Sequence, residues 1–251
     1  VKSEDFDLFP KGSRFTDDSV LTTAIADALI WRHENPDEAK SANIKAKVYA
    51  YRLKQYYSRY PDAGFGEMFK NWCSDTVLRS QNSYANGAAM RVSPIAYAFN
   101  DFEQVLKETK FSCRYTHCHP EALKGAQAVA VAVFLARTGN TKEQIKQVLH
   151  KKFRYDLSFK LDSIRESFVF DSRTKYSVPP AIVAFLESHD YESAVRKALS
   201  IGGDSDTIAC IAGGIAHAFY KEIPPEIVNR GMLLLDSGLK ATVKKFNEIF
   251  S

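Results

Sequence analysis

Residues 200–220 read SIGGDSDTIACIAGGIAHAFY. From Ile208 to Ala216 the stretch is almost wholly small or aliphatic, so as a helix it can pack very closely and belongs at the centre of a helical protein. Two glycines and then Asp204, Ser205, Asp206 and Thr207 precede it. Gly202 and Gly203 end the preceding helix and let the backbone come close to a ligand. The new helix turns its positive end toward anionic oxygens at its start.

A second acidic elbow, Phe15-Thr16-Asp17-Asp18, opens the first clear helix. Each elbow offers two carboxylates and a threonine hydroxyl, the hard oxygen donors that suit Mg²⁺ or Mn²⁺ rather than zinc or copper. Asp17 and Asp204 are accounted for as helix N-caps. Asp18 and Asp206 are surplus to capping and would crowd a buried helix end with like charge, a cost that a divalent cation removes. Either elbow alone reads as a cap; the pair reads as one metal site.

Outward from these elbows the apolar residues keep helical spacing. Val20, Leu21, Ala24, Ile25, Ala28 and Leu29 share a face of a helix that stops near Asn35-Pro36. A tyrosine-rich helix covers Val48 to Tyr57, and a short one restarts around Met68, Phe69 and Trp72. Leu123, Ala126, Ala130, Val133 and Phe134 form a small-residue stripe ending before Gly139, and Thr141 with Gln144 makes a capping box for the next helix. Pro179-Pro180 is expected to open another, Asp190 to cap the helix carrying Ala194 and Leu199, and residues 150–178 to loop. No strand-like alternation, internal repeat or interdomain linker is present, so one domain is expected.

Composition narrows the function classes. The 34 basic and 30 acidic side chains are spread along the chain for a net charge of +4, which points to neither nucleic acid nor membrane. No apolar run reaches the roughly 20 residues of a membrane span, and VKSEDFDLFPKGS lacks the order of a secretory signal. Four irregularly spaced cysteines suit free thiols, so a soluble, cytoplasmic monomer is the expectation.

Four ordered blocks, FTDDSVLT (15–22), SYANGAAMRVSPIAYAF (83–99), THCHPEALKGAQAVA (116–130) and SIGGDSDTIACIAGGIAHAFY, resemble the ADP-ribosylglycohydrolases, the DraG-like or ADP-ribosylhydrolase family, over nearly the whole chain. That resemblance implies an all-α fold, a single compact orthogonal helical bundle over residues 1–251. It implies two Mg²⁺ or Mn²⁺ ions held by Thr16, Asp17, Asp18, Asp204, Asp206 and Thr207. Substrate would be bound by Ser83, Tyr84, Asn86, Gly87, His117, His119, Gly202 and Gly203, with Asp18 or Asp206 transferring the proton. The family's glycine-rich first helix, ending in a glutamate at the metal site, has no counterpart after Val1, so the domain is expected to lack it.

The implied reaction is hydrolysis of the bond between ADP-ribose and an acceptor on a protein or small molecule, arginine first, with serine or a small compound behind it. Two rivals remain: an ADP-ribose-binding or crystallin-like member without activity, and a metal-dependent phosphohydrolase cutting the diphosphate. Arg91 invites a phosphate-binding role, but a structural ion pair or carbonyl cap ranks ahead. Cys113, His117, Cys118 and His119 are all zinc-ligand types, but they form no C-x-x-C pair and adjacent side chains cannot all converge on one tetrahedral ion.

Overall fold

The computed structural model describes residues 2–250. Its helices are α1 (Asp17–Glu34), α2 (Ala42–Arg59), α3 (Glu67–Ser74), α4 (Ser93–Ala98), α5 (Phe102–Cys113), α6 (Pro120–Arg137), α7 (Lys142–Phe153), α8 (Leu161–Arg165), α9 (Thr174–Glu187), α10 (Tyr191–Ser200), α11 (Ser205–Tyr220), α12 (Pro225–Leu234) and α13 (Ser237–Phe250), with a 3₁₀ turn at Asn86–Ala88. Extended pairing among the described residues is limited to two isolated antiparallel bridges, Asn82 with His117 and Ala85 with Arg173. The fold is therefore all-α, as the apolar spacing requires.

Two helices fill the centre. In α6 the run from Ala128 to Ala136 is buried without a break, and α11 buries Ile208, Ile211, Ala212, Ile215 and Ala216. Their small side chains let neighbours approach closely. α6 packs against α5, α11, α4, α7 and α9, while α11 packs against α10, α9 and α6. α1 lies on α2, α13 and α4 and meets α11 over a short stretch only. No helix is long and apolar enough to cross a membrane.

The expected punctuation is largely where local chemistry puts it. Thr141 and Gln144 close a capping box on α7, Asp190 and Ser193 close one on α10, and Pro120 occupies the first turn of α6. One expectation is corrected: α9 does not start at Pro179-Pro180 but at Thr174, with both prolines inside it. The Thr174 hydroxyl donates to the Tyr84 and Ala85 carbonyls at 2.9 and 2.8 Å and fixes the earlier start. Each proline deletes the hydrogen bond to the carbonyl four residues back. Those carbonyls belong to Lys175 and Tyr176, both exposed, where water can replace the lost donor. The polar stretch 150–178 accordingly holds the end of α7, short α8 and the start of α9 between two loops.

Candidate metal centre and cleft

The acidic elbows are at the starts of α1 and α11, and the fold turns them toward each other. The cap reading does not hold for either aspartate. In α1 the cap position is Thr16 and Asp17 is the first helical residue; in α11 Asp204 is at the cap position but makes no capping bond. Instead Asp204 Oδ2 accepts from Asn86 Nδ2 at 2.7 Å, and the same amide donates to Ser177 Oγ at 2.8 Å. Asp17 is pinned through its backbone, its N–H donating to the Ala63 carbonyl at 2.8 Å.

Asp18 is the most confined member, 5% exposed. Thr16 Oγ1 donates to its Oδ2 at 3.2 Å, whereas its Oδ1 is buried with no partner. Burial, then the charges of Asp206 and Asp17, pushes the Asp18 carboxyl up to about 8. The same order of causes, burial and then Asp206, raises Asp17 to about 6. Asp204 is also raised to about 6 by burial, against the Asn86 hydrogen bond that favours its charge. Asp206 thus acts on both aspartates of the other elbow, so the four carboxylates share one electrostatic site.

The donor chemistry fits hard divalent cations. An orphaned carboxylate oxygen among mutually repelling carboxylates lacks a cation or a proton, and the Thr16 hydroxyl is bound to the other oxygen of the same carboxylate. The elbows do not form a closed cage, since among the described residues no three His, Cys, Asp or Glu side chains are set to hold an ion. Oxygens from a ligand would have to complete the coordination. The zinc alternative finds no support: His117 Nδ1 bonds Thr116 Oγ1, His119 Nδ1 accepts from the Glu121 N–H, and Cys118 Sγ donates to the Arg114 carbonyl.

A residue that sequence reasoning passed over joins the elbows. The Met90 carbonyl accepts from Thr22 Oγ1 of α1 at 3.4 Å and from Cys210 Sγ of α11 at 3.3 Å, and its sulfur faces Thr207 Oγ1 at 3.7 Å. Nothing in AAMRVSP signals this, because the work is done by a backbone carbonyl. Asn86, expected as a ligand residue, ties the 83–87 loop to the α11 elbow through its bonds to Asp204 and Ser177.

The loop 83–87 meets the α11 elbow through the Asn86–Asp204 bond. Asn86 N–H donates to the Ser172 carbonyl at 2.8 Å and Ser83 Oγ accepts from the Ala85 N–H at 3.2 Å. Gly87 faces the His117 ring, since a Cβ there would touch His117 Nε2 at 3.4 Å. His117 is buried, and burial with the Arg91 charge holds its pKa well below the usual value, so the ring is neutral. Tyr84 is exposed and meets the His119 ring edge-on at 5.7 Å, in a cavity shared with Glu121, Arg173 and Lys175.

Gly202 and Gly203 have φ of 73° and 70° and do end α10. The close approach at Gly203 is to the chain itself, because a Cβ would fall 2.5 Å from the Phe168 ring. Arg91 makes the carbonyl contact that was expected, to Ser112 at the end of α5, and no ion pair among the described residues.

The chain is 28% identical over 265 aligned positions to human ADP-ribosylhydrolase ARH3, covering 82% of this chain and 70% of that protein. A putative ADP-ribosyl glycohydrolase, L543, of Acanthamoeba polyphaga mimivirus is 26% identical over 86% of this chain and 74% of its own. A solved structure titled ADP-ribosylglycohydrolase-related protein complex superposes with a TM-score of 0.66 at 22% identity, over 94% of this chain and 82% of that one, a likeness of fold. With residues 3–245 matched by the ADP-ribosylglycohydrolase profile, the chain belongs to the ADP-ribosylglycohydrolase family.

Proposed function

We propose that this chain hydrolyses the glycosidic bond between ADP-ribose and an acceptor, with two Mg²⁺ or Mn²⁺ ions held by Thr16, Asp17, Asp18, Asp204, Asp206 and Thr207. The observation that carries the reading is the meeting of two distant elbows around the unpartnered Asp18 Oδ1. Cations bound there would polarise the oxygens of the substrate's distal ribose. The chain's own groups do the rest.

Small residues of the 83–87 loop and its backbone N–H groups other than those of Ala85 and Asn86, which are bonded within the protein, take the diphosphate. Neutral His117 offers a hydrogen bond beside Gly87, and Tyr84 with His119 lines the cleft mouth. Asp18 or Asp206 takes the proton of the attacking water as the anomeric carbon develops oxocarbenium character. Burial of Asp18 keeps bulk water from screening these charges.

The test is product analysis on arginine-modified protein and serine-modified peptide, each with Mg²⁺, Mn²⁺ or a chelator. Free ADP-ribose, released only with the cation, is expected, and the faster substrate identifies the acceptor. AMP with ribose phosphate would replace this reading by phosphohydrolysis. Binding of ADP-ribose without release from either substrate would make the chain a binding protein.

A further inference from the structure

Arg91 is the largest of the fully buried side chains among the described residues. It is fully buried and charged, yet only Nη2 is engaged, donating to the Ser112 carbonyl at 3.3 Å and to Thr116 Oγ1 at 2.7 Å. Its Nε and Nη1 have no partner. A buried cation without a carboxylate is destabilising, and an apolar side chain of similar volume would pack the same space at lower cost. The retained charge therefore calls for a second role.

The next link supplies one. Thr116 Oγ1 lies 2.8 Å from His117 Nδ1. A hydroxyl has a single proton, and its oxygen already accepts from Arg91. If Nδ1 also carried a proton, the Thr116 proton would be left without an acceptor in a buried position. The network closes only when Thr116 donates to Nδ1, which leaves the ring proton on Nε2. That nitrogen is the one facing Gly87, where a Cβ would come within 3.4 Å of it. The backbone bridge between Asn82 and His117 holds the His117 backbone beside the residue that leads into the same loop.

We propose that Arg91 is a positioning residue, whose guanidinium orients the Thr116 hydroxyl so that His117 is locked as the Nε2–H tautomer and presents a permanent hydrogen-bond donor to oxygens of a bound ADP-ribosyl group. The ligand named here rests on the function proposed above; the tautomer does not. Burial and the Arg91 charge also oppose a second proton on the ring, so the donor stays neutral.

Full-length protein labelled with ¹⁵N-histidine tests both parts, because two-bond ¹H–¹⁵N spectra assign the tautomer without any activity. Wild type and Thr116→Ser are expected to show His117 protonated on Nε2 alone. Thr116→Val and Arg91→Met are expected to populate the Nδ1–H form. In calorimetry with ADP-ribose and Mg²⁺, each should weaken binding about tenfold, the double variant no further, and Thr116→Ser should bind like wild type. An Nδ1–H ring in wild type, or an Nε2–H ring retained in both Thr116→Val and Arg91→Met, overturns the relay. If Arg91→Met does not fold, the near-isosteric Thr116→Val against Thr116→Ser decides alone. An Nε2–H ring in a wild type that binds no ADP-ribose overturns the functional reading, and with it the ligand assigned to this donor.

Discussion

Asp18 has a carboxylate with one oxygen satisfied by Thr16 and the other by nothing, beside three more carboxylates that repel it. Without a cation, such a group destabilises its own fold whenever it is charged. Asp18→Asn should therefore raise the melting temperature of the chelator-treated protein while abolishing its response to Mg²⁺. Wild type should gain about 2.7 kcal/mol at a cation concentration of about 100 times Kd. Thermal melts with and without Mg²⁺ read both effects, and a variant that kept the full Mg²⁺ response would remove Asp18 from the ligand set. His117 gives a second prediction. Its folded pKa is depressed, so its contribution is complete above the ordinary value of 6.5 and is lost as pH falls through it, when the unfolded chain takes a proton the folded one refuses. The raised aspartates run the other way, losing stability as pH climbs through about 6 to 8. Subtracting a His117→Gln variant isolates the histidine: the wild-type advantage in urea unfolding should shrink by about 1 kcal/mol from pH 7.5 to 5.5. The clustering of carboxylates was legible because the second aspartate of each pair exceeds what capping a helix start uses. Their braces, Asn86 to Asp204 and Thr116 to His117, were not, since an amide or hydroxyl carries no mark of the distant partner it will meet.

Among elements, the contact of α6 with α9 is the one most exposed to a single methyl group. Gly125 of α6 faces Thr174, and a Cβ there would lie 2.0 Å from Thr174 Cγ2. Gly125→Ala gains up to about 1 kcal/mol in helix propensity, yet overpacking at a fixed neighbour costs about 1–3 kcal/mol, so net destabilisation is expected. Thr174→Ser removes the clashing methyl while keeping the hydroxyl that bonds the Tyr84 and Ala85 carbonyls. The double variant should recover most of the loss in denaturant unfolding. Additive single effects would show that the clash is relieved elsewhere. Helix starts with their own caps, at Thr141 and Asp190, were readable from sequence because the partner is three residues away. The start of α9 was misread because prolines are a local signal for a first turn, whereas Thr174 takes its bonds from a loop some ninety residues earlier.

At the scale of the molecule, α11 was identifiable as central because Ile208 to Ala216 is made almost wholly of small and aliphatic residues, and α6 was legible only as a small-residue stripe. That two elbows about three-quarters of the chain apart converge could be reached only by asking what their surplus charges are for. The convergence has a measurable consequence. Asp17 and Asp18 begin α1, Asp204 and Asp206 begin α11, and the Met90 carbonyl is bonded from both helices, so a cation held by both elbows must tighten three segments in one step. Hydrogen exchange should show the first turns of α1 and α11 and residues 86–92 slowed together by Mg²⁺. At about 100 times Kd the slowing approaches 100-fold wherever opening requires release of the ion. The C-terminal turns of α1, which face α2 and α13 rather than the site, should change little by comparison. Asp206→Asn removes a carboxylate from one elbow only, yet it should erase the protection in all three segments, because the ion would lose the group that ties α11 to α1. Protection retained at the start of α1 in that variant would mean that the elbows bind cations separately, and that their common field reflects proximity without a shared ion.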